Sequence, residues 1–332
     1  MKVFHSIDQF AASGKDRNIV TTGTFDGVHL GHRSILERVC SIAKNKNSES
    51  VLLTFHPHPR EVLFPDSAKM FFLTTLEERE ELLEKIGIQN LIIHPFTKEL
   101  SQVSAIDYVK DIIVAKLKTE TLVIGHDHHF GNGRKGSIKE LEEWGPIFNF
   151  NVEEMAPVSY QSAVGIEQSF LSTTVISSSK IRKALQEDDL QTANNYLGYN
   201  FFIHAKVVHG LKLGSTKLGY PTANLEIDFE NKIVPTDGIY AVYVTISGQS
   251  SVVSSQKGLT TYKGMMSIGT NPTIENKGRS MEVNIFDFDQ DIYGKTLKVS
   301  FVKKIRNEEK FNNLDELKAA LARDKEICLT IL

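Results

Sequence analysis

The sequence predicts two folds in series: a parallel α/β sheet in the first half, then an antiparallel β-barrel closed by a terminal helix. Three observations carry this expectation. Up to residue 187, short apolar runs alternate with amphipathic helical stretches, the pattern of a parallel sheet covered on both faces. After residue 200, β-branched runs follow one another with only Gly or polar turns between them, the pattern of an antiparallel sheet. The length, 332 residues, exceeds what one core ordinarily supports.

In the first half, strands are expected at 18–22, 51–55, 91–93 and 122–124, with a weaker one at 151–154. Helical periodicity marks 33–44, 75–86, 105–118 and 137–144 between them. A last helix starts after Ser178, whose hydroxyl suits an N-cap, and runs to Leu185. Residues 186–200 are polar and weakly periodic and read as the connection, so domains of 1–187 and 188–332 are expected. Strands are then expected at 201–209, 238–246, 264–268, 281–288 and 296–303, and a helix over 314–322 and a little beyond closes the chain.

Composition narrows the function. Hydrophobic residues at 41% and charged residues at 24% are globular values that argue against disorder. With 38 Lys+Arg against 41 Asp+Glu, neither half is a basic platform, so no nucleic-acid partner is expected and any polyphosphate must be held by local groups. No apolar run reaches the roughly 18 residues of a membrane span, and the first ten residues, MKVFHSIDQF, lack a signal-peptide core. No membrane partner is therefore expected. Cys40 and Cys328 are the two cysteines and form no CxxC pair, which fits a reducing cytoplasm.

The first candidate site follows the strand at 18–22, in GTFDGVHLGHRSIL. Gly23, Gly27 and Gly31 punctuate the turn, and His29 and His32 share one face where a helix begins. Backbone N–H groups and the positive dipole end attract phosphate there. Two imidazoles can donate hydrogen bonds to phosphate oxygens without adding a full charge. An isolated HxxH would more often be an incidental pair or a metal site; the preceding strand, the glycines and Asp26 reverse that balance. Further on, Gly131, Gly133 and Gly136 spell GxGxxG, but they do not open a helix directly from a strand, as dinucleotide binding requires. His126, His128 and His129 lack a partner pair at structural-zinc spacing.

The segment resembles the GxFDGxHxGH form of the HxGH motif, typical of the adenylyltransferase half of bacterial bifunctional riboflavin kinase/FAD synthetases. TFHPHP (54–59), GHDHHFGNGRKG (125–136) and ISSSKIR (176–182) fit the same family. The family's usual GxDFxFG and ISSTxIR are altered, with His128 in place of an aromatic and Ser179 in place of Thr. The resemblance implies a Rossmann-like nucleotidyltransferase domain that binds nucleotide through Gly23, Phe25, Asp26, Gly31, Asp127, Ser177, Ser178 and Arg182. It implies flavin contacts at Phe55 and Pro57, with His29 and His32 as catalytic groups.

The second candidate site lies in VVHGLKLGSTKLGYPTANL. A glycine-containing loop carrying Gly210, Lys212, Lys217 and Gly219 can fold over phosphates. Thr222 and Asn224 alternate with Ala223 and point the same way in an extended chain, offering hard oxygen ligands for Mg²⁺; plain turn chemistry after Pro221 is the bland reading. In MEVNIFDF, Glu282, Asn284 and Phe286 share one face, and an inward carboxylate can accept a hydroxyl proton, although a lone strand Glu is more often a solvated edge residue. KLGYPTANL, PTDGIYAV, SIGTNPT, EVNIFDFDQDIYG and IRNEEKF resemble the riboflavin kinase domain. That resemblance implies Mg²⁺–ATP on Thr222 and Asn224, Glu282 as the base, and Arg306 and Glu309 near the isoalloxazine ring. The chain is thus expected to convert riboflavin to FMN and FMN to FAD with ATP as co-substrate. Two alternatives are a nucleotidyltransferase for another phosphorylated acceptor, which would leave PTAN and Glu282 unexplained, and a flavin sensor with one inactive half.

Overall fold

The apolar runs of the first half become parallel strands. In the computed structural model, which describes all residues except 14–15, 68, 164–170, 210–219, 251–258 and 271–278, the chain divides into two units. One comprises Met1–Met70 with Arg79–Ser178, the other Phe71–Glu78 with Ser179–Leu332. The first holds β1 (Lys2–Phe4), β2 (Asn18–Thr22), β3 (Glu49–Phe55), β4 (Asn90–His94), β5 (Thr119–Gly125) and β6 (Asn151–Met155), in the order β1-β4-β3-β2-β5-β6. All pairings are parallel. Val20, Val51, Leu53, Ile92 and Leu122 are buried at 0–1% exposure, as a sheet covered on both faces requires.

Helices alternate with these strands: α1 (Ile7–Ala11), α2 (Leu30–Lys46), α3 (Pro59–Leu63), α4 (Leu76–Ile86), α5 (Lys98–Ser101), α6 (Ala105–Asp107) and α7 (Ile138–Phe148). The helix expected over 105–118 is present, but from Tyr108 to Lys116 it winds wide, in π geometry. A hairpin of β7 (Ser159–Ala163) and β8 (Leu171–Val175) has no counterpart in the sequence reading. Next come α8 (Ser178–Gln186) and α9 (Leu190–Leu197).

α9 corrects the expectation of a connection at 186–200. Its Asp189 cap accepts from Thr192 N at 3.0 Å. Asn194 donates to Phe301 O (2.9 Å) and accepts from Phe201 N (2.7 Å). Leu190, Ala193 and Leu197 are buried. The helix owes its stability to packing within the second unit, which a weak local pattern does not display.

The second half closes into a barrel of β9 (Phe202–Val208), β10 (Ala223–Glu226), β11 (Gly238–Ser250), β12 (Leu259–Thr270), β13 (Arg279–Ile285) and β14 (Thr296–Arg306), in the order β10-β13-β12-β11-β14-β9. Every pairing is antiparallel. β13 ends at Ile285, before the expected 288, and Asp287 turns the chain with a φ of 53°. The terminal helix α10 (Leu314–Ile331) outruns the expected 322 because its buried stripe continues to Cys328.

Residues 71–78 belong to the second unit through a charge pair. Lys232 and Glu78 have side chains 1% and 0% exposed and meet at 2.6 Å. The ammonium also donates to Leu73 O and Phe202 O, while Glu78 accepts from His204 N and Thr75 N. Because both ions are saturated, the pair is tolerated; removing one partner would strand the other in a dry site. Lys232→Ala is expected to destabilise the barrel by about 3–5 kcal/mol, read by urea unfolding. A loss below about 1 kcal/mol would contradict the account.

Candidate active sites

The first site is built by a turn that must carry the chain from β2 into α2 within residues 23–29. Three residues take positive φ: Phe25 (47°), Gly27 (82°) and Val28 (38°). Glycine enters that region freely, whereas a β-branched valine there is strained and persists only where its surroundings over-determine it. Phe25 and Val28 are 4% and 1% exposed. Val28 N donates to Phe25 O, Gly23 N donates to Leu53 O, and the Ser178 hydroxyl donates to Asp26 O at 2.9 Å.

The turn delivers His29 as the N-cap of α2, where its Nδ1 accepts from His32 N at 3.3 Å. A neutral imidazole accepting at Nδ1 carries its proton on Nε2. The His29 and His32 rings stack with centroids 3.6 Å apart at 16°, and Phe25 lies 4.9 Å from His32. Gly31 makes room for this stack: a Cβ there would stand 3.2 Å from His29 Cε1. Two imidazoles thus lie together at the start of a 17-residue helix, where the positive dipole end suits an anion.

The parallel sheet brings several other expected residues to the same edge. β2 pairs with β3 on one side and β5 on the other, which makes their carboxyl ends a topological switch point, where open α/β sheets bind ligands. Phe55 ends β3 and packs edge-on against Phe96 at 5.6 Å. Exposed Pro57 follows a cis peptide, and His58 caps α3. Exposed Asp127 and part-buried His128 follow β5. Ser177 and Ser178 stand at the start of α8; Arg182, one turn on, belongs to the second unit.

The 131–136 glycines serve packing. Phe130 and Gly136 exchange backbone hydrogen bonds, closing the loop on itself, and a Cβ on Gly131 would lie 2.6 Å from Ala105 Cα. Among the described residues no three of His, Cys, Asp or Glu form a group that could hold a metal ion.

Sequence reasoning missed three groups here. Buried Arg79 has burial lowering its pKa and the Asp26 carboxylate opposing. Tyr108 lies 3.3 Å from the Thr22 hydroxyl, and burial pushes its phenol up to about 12. Phe130 stacks between Tyr108 (5.7 Å) and His128 (5.9 Å). The π-wound helix that positions Tyr108 carried no local signal.

In the second unit, β13 clamps the PTAN segment. Asn224 sits opposite Glu282 in the β10–β13 register, so both project to one face. Thr222 Oγ1 donates to Glu282 Oε2 at 3.0 Å, and Asn284 Nδ2 donates to Pro221 O at 2.6 Å. A hydroxyl and a carboxylate therefore meet, with the Asn224 side chain on the same face of the strand pair, a donor set that fits Mg²⁺. Arg306, at the end of β14, makes a bidentate pair with Asp324, and Glu309 lies 4.0 Å from it. Asp324 was missed, although an acid between Ala320 and Cys328 on an apolar stripe is visible in the sequence. Gly210, Lys212, Lys217 and Gly219 lie outside the described residues.

A parallel sheet with a histidine-capped helix start at its switch point, followed by a closed barrel bearing a carboxylate beside a hydroxyl donor, is the build of a two-domain phosphoryl- and nucleotidyl-transferring enzyme. Residues 12–168 match the family model described as FAD synthetase, and residues 197–332 that described as riboflavin kinase. The chain belongs to the bifunctional riboflavin kinase/FMN adenylyltransferase family. It is 33% identical to the member from Escherichia coli K12 over 98% of this chain and 96% of that one, and 33% identical to the member from Bacillus subtilis 168 over 93% and 91%. A crystal structure described as a macrolide-efflux protein from Streptococcus pneumoniae matches with a TM-score of 0.81 and 29% identity, covering 99% of each chain. That description concerns the other protein; the two share a fold. Among the described residues no helix is long and apolar enough to cross a membrane.

The departure at His128 has a physical consequence. Burial against its neighbours lowers the imidazole pKa from 6.5 to about 4; Asp127 opposes this, while His129 and Arg134 add to it. Folding therefore keeps His128 neutral where the unfolded chain would already be protonated, so its contribution to stability is present above pH 6.5 and is lost as pH falls toward 4. His94 is shifted in the same direction, chiefly by burial. His128→Phe is expected to flatten the acid-side loss of stability in urea titrations at pH 7 and pH 5; an unchanged slope would contradict the assignment.

Proposed function

We propose that the two reactions of the family run in separate sites on this chain, with the functional division at 187/188. In the barrel, the 5′-hydroxyl oxygen of riboflavin attacks the γ-phosphorus of ATP. The bond to ADP breaks, and Glu282 takes the hydroxyl proton. In the first unit, a phosphate oxygen of FMN attacks the α-phosphorus of a second ATP, forming FAD and releasing pyrophosphate. No covalent enzyme intermediate is needed in either step; alignment and fixed electrostatics supply the catalysis.

The observation that supports the adenylyl site is the His29–His32 stack on the first turn of α2. Donors on both rings face the place where charge develops on the departing pyrophosphate. Gly23 and Gly31 let the backbone come close, Phe25 and Asp26 are set by the turn, and Asp127, Ser177 and Ser178 complete the nucleotide contacts within the first unit. Phe55 and Pro57 border the flavin. The kinase site is supported by the Thr222–Glu282 hydrogen bond and by Asn224 standing opposite Glu282; Gly210, Lys217 and Gly219 are its further proposed nucleotide contacts. Thr222 and Asn224 would hold Mg²⁺, which when bound screens the negative charge of the triphosphate. Arg306 and Glu309 lie near the isoalloxazine ring. Cys40 and Cys328 are free thiols, in keeping with a reducing, cytoplasmic setting.

His29→Ala with His32→Ala is expected to lower FAD formation from supplied FMN by about 10²-fold or more, with riboflavin phosphorylation retained. Equal loss of both activities in folded protein would contradict separate sites. Glu282→Gln should suppress FMN formation and spare FAD formation from FMN. Chromatography of the flavin products reads both variants, and an unchanged FMN rate would remove Glu282 from the base role.

A further inference from the structure

The face that α10 turns to the barrel buries Ala320, Asp324 and Cys328. Asp324, 3% exposed, occupies a position that an apolar side chain would ordinarily fill, and a carboxylate is costly to desolvate there. Among the described residues Arg306 satisfies it. Arg306 Nε lies 3.0 Å from Oδ1 and 3.1 Å from Oδ2, and Nη2 lies 2.7 Å from Oδ2.

The same guanidinium reaches further. Its Nη1 donates to Asn307 O at 3.0 Å and stands 4.0 Å from Glu309 Oε2, and the group lies 5.7 Å from the Phe311 ring centroid. One planar fork therefore ties together the end of β14, the terminal helix and residues 307–311. A lysine ammonium, a single point of charge, could not make the bidentate contact.

We propose that Asp324 is a positioning residue for riboflavin: through Arg306 it holds residues 307–311, and Glu309 with them, in the place where the isoalloxazine ring binds. The inference rests on the flavin placement proposed above. It explains why a buried carboxylate stands where Leu or Ala would pack more simply: the charge fixes one register of helix against strand.

Riboflavin binding by fluorescence quenching, with separate KM values for riboflavin and ATP, tests this in the full-length protein. Asp324→Asn is expected to weaken riboflavin binding by about tenfold or more, leaving the KM for ATP and the adenylylation of supplied FMN unchanged. Parallel rises in both KM values, or unchanged riboflavin binding in folded protein, would overturn the proposal. If Asp324→Asn fails to fold, Arg306→Lys, which keeps the charge and loses the fork, must weaken riboflavin binding selectively, and unchanged binding overturns the proposal. Exposed Glu309 separates the two layers of argument. If Glu309→Ala binds riboflavin normally, the flavin placement fails; if it binds weakly while Asp324→Asn binds normally, only the positioning role fails.

Discussion

The adenylyl half of this protein depends on one local constraint: a strand must become a helix within seven residues (23–29) and bring the helix start to the sheet edge. Regular backbone does not turn so sharply. The chain solves this with positive φ at Phe25, Gly27 and Val28, and the strain is held in place by burial and by the Ser178 hydroxyl on Asp26 O. The product of that strain is a rigid histidine. His29 caps the helix with one ring nitrogen, which leaves the ring proton on the other, and the stack on His32 fixes the plane. In the function proposed for this site, donors fixed in this way would not reorganise as charge moves along a triphosphate.

The kinase half reaches the same end by register. In a closed barrel every strand is paired on both sides, so a residue's place is set by its hydrogen-bonded neighbours. β13 presents Glu282 to Thr222 and Asn224 while Asn284, on the same face two residues on, holds Pro221 O. A slip of one residue would turn Glu282 to the opposite face. The buried Lys232–Glu78 pair and the Arg306–Asp324 fork work in the same way, spending desolvation energy to fix which surfaces meet.

Much of this was legible in the sequence where chemistry and local geometry coincide. Gly23, Gly27, Gly31, His29 and His32 are close in the chain, and PTAN and Glu282 each lie on short extended segments. Long-range devices were not legible. Glu78 finds Lys232 across 154 positions, and nothing near either residue announces the partner. α9 was read as a connection because Asn194 and its neighbours look polar until Phe201 and Phe301 are in place. Val28 at positive φ runs against its own preference, so only the packed turn reveals it. Tyr108 depends on a helix wound wide, a distortion without a local signature.

The central claim is that two different phosphorus atoms of ATP are attacked in two different sites. The most direct measurement incubates the protein with riboflavin and ATP carrying a phosphorus label at either the α or the γ position, then separates FMN from FAD. The account predicts that FMN receives only the γ label and that the α label enters FAD alone, in its AMP half. Label from the α position in FMN, or its absence from FAD, would contradict it.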